Sequence, residues 1–301
     1  MDKLMTFGEH LEELRKRLKH AAYAVIVCTL VCYAFSEFLF AFLAQPLIRA
    51  WAEADLGRPQ LHFANPIEPF FTFLKISLVA GIFMSSPVIF YQIWRFVAPG
   101  LYRREKAYAL PFAIASAVFF LGGASFGYFL VFPYGFQFFL GFAKSNMGRM
   151  EKLMGQKVGI SLGHTFKLTP TLMMGEYFGL VWRLLLAFGL IFELPLVVFF
   201  LAMAGLVNPK ALWRFNRYFI VLAFVIGAVL TPPDVITQIF MAAPLLVLYN
   251  LSILFSLIFV RRRDRRKAME AKAAAVEPAE IGADEHTDNA YIDDDRTEEE
   301  R

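Results

Sequence analysis

One carboxylate interrupts the apolar run Leu184–Leu201, LLLAFGLIFELPLVVFFL: Glu193 is its only charged residue, and Pro195 follows two positions later. A charged side chain at the centre of a bilayer costs roughly 2.5–3.5 kcal/mol on insertion scales, and more by other estimates. From Phe178, where the apolar segment begins, Glu193 lies about 22 Å along a helix rising 1.5 Å per residue. That is well inside the hydrocarbon, so the side chain should face protein or a water-filled cavity, or be protonated. Pro195 cannot donate to the carbonyl of Ile191 and kinks the helix, which opens that carbonyl to a polar partner or water. Two readings follow: a hydrated dent in the membrane, or a glutamate hydrogen-bonded within the bundle for packing alone. Arg183 precedes Glu193 by about 15 Å, too far to pair. Arg183 and Lys75 belong near the outer face, where each can snorkel outward.

Two further polar clusters flank the apolar segments. The first is MDKLMTFGEHLEELRKRLKH at the N-terminus, an amphipathic helix by pattern. Thr6-Phe7-Gly8-Glu9 fits a capping box, and Leu11, Leu14 and Leu18 form one stripe at i, i+3 and i+7. Glu13 and Arg17, like Glu12 and Lys16, are spaced i,i+4. Either this helix lies on the membrane surface held by ordinary ion pairs, or one of its glutamates faces a groove. A carboxylate accepts two parallel N–H bonds from a guanidinium, so a groove-facing glutamate suits an arginine-bearing ligand. In the second cluster, WRFVAPGLYRREKA, the basic residues Arg103 and Arg104 are explained by topology, but Glu105 is not. In LTPPDVITQ, Asp234 either caps the last span after a proline stop or, with Thr237 and Gln238, bonds a partner helix in the membrane.

Other chemistry is excluded. His10, His20, His62, His164 and His286 lie outside the spans or at their ends, so neither a Ser–His intramembrane protease nor a buried histidine zinc site can be assembled. No phosphate-loop motif is present. Cys28 and Cys32, i,i+4 in the first span, read as small apolar residues on a packed face. No enzyme, metal or cofactor is expected.

The elements that position these residues are membrane spans. The 301 residues are 58% hydrophobic with a mean hydropathy of +0.52, and apolar runs of about 20 residues recur. An all-α, polytopic protein is expected. Six transmembrane helices fall at 21–43, 71–94, 109–139, 177–204, 217–231 and 237–260, the fifth being short. The net charge of +4 is too small to indicate nucleic acid. Its basic residues cluster instead in 1–20, 95–108, 205–216 and the start of the tail, which places both termini in the cytoplasm. The intervening 44–70, 140–176 and 232–236 are then outer segments, although 140–176 carries dispersed lysines. The tail, 261–301, ends YIDDDRTEEER and is expected to be disordered. No internal repeat is visible, which argues against inverted-repeat transporters.

Taken in order, HLEELRKRL, PIEPFF, FVAPGLYRREK, FGYFLVFP, FELP and LTPPD resemble the TatC family, the multi-span subunit of the twin-arginine protein translocase. The resemblance covers the chain to about residue 260, and it implies a curved bundle with a concave face. It implies a receptor in the bacterial cytoplasmic (inner) membrane for signal peptides bearing paired arginines. That receptor works, in several copies, with single-span TatA- and TatB-type partners to export folded proteins on the proton-motive force. By the same resemblance Glu13 and Glu105 match the recognition acids, with Phe96, Arg15 and Arg17 beside them. Glu193 with Pro195 is the intramembrane polar site, and Asp234 and Gln238 meet a partner helix. The stretch KSNMGRMEKLMGQKVGISLGH looks like an insertion in the outer loop. The alternative kept open is a proton-coupled small-solute transporter using Glu193.

Overall fold

The computed structural model describes residues 7–54, 57–97, 109–158, 171–230 and 235–288. Helices dominate: α1 Phe7–Ala34, α2 Ser36–Glu53, α3 Glu68–Val97, α4 Ala109–Phe126, α5 Phe132–Val158, α6 Met174–Phe192, α7 Leu194–Met203, α8 Pro209–Leu230 and α9 Val235–Asp288. A π-helical turn, Gly127–Val131, joins α4 to α5. Six helical segments are long and apolar enough to cross a membrane: Gly8–Ala34, Glu68–Val97, Ala109–Ser145, Met174–Met203, Ala211–Val229 and Met241–Arg262.

These helices pack as a row. α1 lies on α3, α3 on α4, α4 and α3 on α6, while α7 and α8 both lie on α9. Burial is greatest along α6 and α7 and falls off at α1 and α8, the two ends. Val181 and Phe188 of α6 are fully enclosed, at the centre of a cluster with Trp51, Tyr128, Phe132 and Tyr177. The row is close where side chains are small: a Cβ on Gly81 of α3 would stand 2.7 Å from the backbone nitrogen of Thr29 in α1.

Hydrocarbon offers no hydrogen bonds, so a carbonyl freed by proline needs a donor from protein. Pro46 lies inside α2 and cannot bond the carbonyl of Phe42. The Tyr128 hydroxyl donates to that oxygen at 2.6 Å, and the Tyr177 hydroxyl donates to the next carbonyl, Leu43, at 2.8 Å. Two buried tyrosines thus hold α2 against α6 and the π-helical turn.

At the ends of the helices remote from Glu13, a two-residue parallel ladder pairs Leu61 with Leu172 and His62 with Met173. Glu68 completes this cap: one carboxylate oxygen accepts from the backbone of Ala64 and the other from that of Gly175, each at 2.6 Å. Asn65 accepts from the backbone N–H groups of Ile67 and Glu68, both at 3.0 Å. The first turns of α3 and α6 are thereby satisfied by side chains of one short segment.

Several expected boundaries differ. The N-terminal helix is continuous with the first span, and the run 21–43 is broken at Phe35 (φ −110°, ψ 19°). No Gly or Pro marks this break. It turns α2 so that Ala44, Leu47, Ala50 and Trp51 enter the core. The expected outer loop 140–176 is helical up to Val158, in keeping with the helix propensity of its Met, Lys, Glu and Gln. The fifth span is not a short helix: α8 has 22 residues, starting at Pro209 with an amphipathic stretch that an apolar count omits. The tail expected to be disordered from 261 continues α9 to Asp288; Ala, Glu, Lys and Arg favour helix without needing a core. Thr6 of the expected capping box lies outside the described residues, as do 289–301.

Replacing Tyr128 by Phe keeps the ring and strands the Phe42 carbonyl. It should cost about 1–3 kcal/mol, read as a lower thermal midpoint of the detergent-purified protein. The same change at Tyr134, which is 62% exposed, should leave the midpoint unchanged.

Candidate functional site

The end of α1 that follows the N-terminus meets the end of α3. Glu13 accepts a hydrogen bond from Arg17 at 3.1 Å, one turn along α1. The other guanidinium nitrogen of Arg17 reaches the Gln92 side-chain oxygen of α3 at 3.4 Å. Beside them the ring of His10 stacks on Phe96, centroids 4.5 Å apart and 19° from parallel. Both charged side chains are largely sheltered, at 18% and 16% exposure. Glu13 Oε2 and Arg17 Nε are buried and have no partner among the described residues. The pair therefore has an unsatisfied acceptor and an unsatisfied donor, and the site is partly satisfied from within. Arg15 is exposed, two residues from Glu13 and off its face of the helix. The structure thus gathers Glu13, Arg17 and Phe96, and adds His10 and Gln92, which sequence reasoning missed. Glu105 falls in 98–108, outside the described residues.

The second polar locus lies in the membrane. Glu193 occupies the break between α6 and α7, with Pro195 in the first turn of α7. Its own carbonyl accepts from Leu196 and Val197 at 3.0 and 2.9 Å, so the helix restarts at once. The side chain is 7% exposed and turned into protein. Ser116 of α4 lies beside its carboxylate, and Trp94 of α3 donates its indole N–H to Ser116 Oγ at 2.8 Å. A serine has one proton to give, and with the indole engaged at its oxygen that proton is available to Glu193. The relay Trp94–Ser116–Glu193 crosses three helices through an apolar cluster that includes Phe112 and Phe200. Glu193 Oε1 remains buried and unpartnered among the described residues. Ser116 and Trp94 were missed because each sits singly in an apolar run; a serine with a tryptophan one helix earlier carries no spacing signal.

Pairing of α8 with α9 uses further polar groups. Gln238 donates to the carbonyl of Phe224 at 2.8 Å, Tyr249 to that of Leu212 at 3.0 Å, and Asn216 to Asn250 at 3.1 Å. Val235 and Ile239, flanking Gln238, are 70% and 49% exposed and leave that end of α9 open to another apolar surface. Asp234 lies outside the described residues. Among the described residues no cluster of His, Cys, Asp or Glu could hold a metal ion.

The family model for Sec-independent protein translocase protein (TatC) matches residues 9–244. The chain belongs to the TatC family. A TatC relative from Desulforapulum autotrophicum is 42% identical over 283 residues, covering 94% of each chain. One from Koribacter versatilis is 38% identical over 90% of this chain and 91% of its own. One from Aquifex aeolicus is 38% identical over 86% and 98%. A crystal structure described as the twin-arginine translocase receptor TatC superimposes with a TM-score of 0.65 at 37% identity, over 83% of this chain and 99% of that one. A second, described as determined in DDM, gives 0.67 at 38%, over 82% and 99%. As a TatC protein with six apolar spanning segments, the chain is a multi-pass protein of the inner membrane. The alternative of a small-solute transporter gains no support from these likenesses.

The relay can be tested within this TatC chain. Ser116→Ala removes the hydroxyl that answers Glu193, which should cost about 1–3 kcal/mol of thermal stability in detergent. In a Glu193→Leu background the same change should cost far less. Additive losses would mean that the two side chains are uncoupled.

Proposed function

We propose that this chain is the receptor subunit of a twin-arginine translocase, recognising signal peptides of folded proteins at its cytoplasmic rim. The observation that carries the reading is the Glu13 carboxylate, sheltered between α1 and α3 with Oε2 buried and without a partner among the described residues. A guanidinium from a peptide can take that oxygen, and a planar fork is better suited to it than an ammonium. Glu105 supplies the second acid, so that the two arginines of the peptide each meet a carboxylate. Phe96, stacked on His10, forms the apolar floor, and Arg15 and Arg17 set the register of the peptide by repelling misplaced basic residues.

In the same proposal both termini are cytoplasmic, and the ladder of β1 Leu61–His62 and β2 Leu172–Met173 lies on the outer side. Glu193 and Pro195 form a polar station at mid-membrane that receives polar groups of a partner span or of a signal-peptide hairpin. Asp234 and Gln238 contact single-span partners of the TatA and TatB type, beside the exposed Val235 and Ile239. Several copies assemble around them, and export draws on the proton-motive force. The subunit binds and organises and performs no covalent chemistry.

A fluorescent twin-arginine signal peptide should bind the purified full chain, and the Lys-Lys version should bind at least about tenfold more weakly. Glu13→Ala with Glu105→Ala should abolish binding without loss of membrane insertion. Equal affinity for both peptides would reduce the interaction to general charge attraction and overturn the carboxylate pair.

A further inference from the structure

At the Glu68 cap, α3 and α6 flank a cavity of about 450 Å³ whose lining includes Glu68, Lys75, Phe71, Phe178, Gly179 and Trp182. Its depth can be read from α3 itself. Between Lys75 and Arg95 that helix contains no charged residue. The interval corresponds to about 30 Å at 1.5 Å per residue, the thickness of the hydrocarbon core. If Arg95 marks one boundary, Lys75 marks the other, at the level of the lipid phosphates. Trp182 is placed as interfacial tryptophans are.

Lys75 makes no ion pair or hydrogen bond with any described residue. Glu68, on the same face of α3, forms no ion pair with it; its carboxylate oxygens accept instead from the backbone N–H groups of Ala64 and Gly175. The exposed cation therefore stands at the hydrocarbon boundary, at the wall of a recess, with its counter-charge unmet by any described residue. The recess also has room: a Cβ built on Gly179 would meet nothing within 4 Å.

We propose that this recess binds the headgroup of an anionic phospholipid from the leaflet opposite the Glu13 rim. The Lys75 ammonium holds the phosphate, and Trp182 lies against the junction of glycerol and acyl chains. Phe71 and Phe178 border the first carbons of the tails. A lipid is favoured over a free anion by the depth of Lys75 and by the aromatic walls, which a small hydrated ion does not use. The bound lipid bridges α3 and α6 at the cap.

The test uses the detergent-purified full chain equilibrated with vesicles of phosphatidylcholine, with and without phosphatidylglycerol, and counts retained lipid by native mass spectrometry. The wild type should retain phosphatidylglycerol in preference to phosphatidylcholine. Lys75→Gln should reduce that retention about fivefold, the effect of one basic charge at an anionic surface, whereas Lys75→Arg should keep it. Gly179→Phe, which fills the recess and leaves the lysine in place, should reduce retention as much. Inorganic phosphate should leave the thermal midpoint unchanged, whereas phosphatidylglycerol should raise it. Equal retention by wild type and Lys75→Gln would overturn the proposal, as would a thermal shift with inorganic phosphate matching that with the lipid.

Discussion

Hydrocarbon neither donates nor accepts hydrogen bonds, and the arrangement of this chain follows from that constraint. Where an interruption of a helix frees a polar group, a neighbouring element can meet it. Pro46 frees the Phe42 carbonyl, and Tyr128 meets it from the π-helical turn. Tyr177 donates to the next carbonyl, that of Leu43, from α6. At the break before Pro195, Glu193 is turned into protein beside Ser116, which Trp94 holds. These contacts join helices distant in sequence, so the breaks in individual helices are also the joints of the row.

The two faces of the bundle use different chemistry. At the face bearing Glu68, both oxygens of that carboxylate are engaged by backbone, and the region is a fixed cap. At the face bearing Glu13, the ion pair with Arg17 leaves an oxygen and a nitrogen unengaged among the described residues. A site that must accept a guanidinium from another molecule needs acceptor capacity held in place and not fully spent. Gln92 and the His10–Phe96 stack hold the Glu13–Arg17 pair without using up that capacity.

Much of this was legible in the sequence. The membrane class followed from apolar runs, the family from ordered motifs, and Glu193 from the isolation of its charge. Glu13 and Arg17 were readable as neighbours because helical spacing is local. What was not legible is what tertiary packing decides. The break at Phe35 carries no Gly or Pro. Ser116 and Trp94 become a relay only when α3, α4 and α6 are side by side. Glu68 appeared within PIEPFF, yet its partner Gly175 lies in another part of the chain. The boundaries of α5, α8 and α9 were drawn too short for the same reason: an apolar count stops where hydrophobicity stops, while backbone bonding continues through polar residues of good helix propensity.

The Glu68 cap also implies an order of events. Its second ligand, the Gly175 N–H, is 107 residues further along the chain. At common translation speeds of about 5–20 residues per second, that separation amounts to some 5–20 seconds. Through this interval α3, α4 and α5 emerge while Glu68 can hold only Ala64 and the early half of the ladder waits for its parallel strand. The cap is thus a late closure, made when α6 arrives, and the nascent protein spends its first seconds as a set of inserted helices before that face of the bundle is locked.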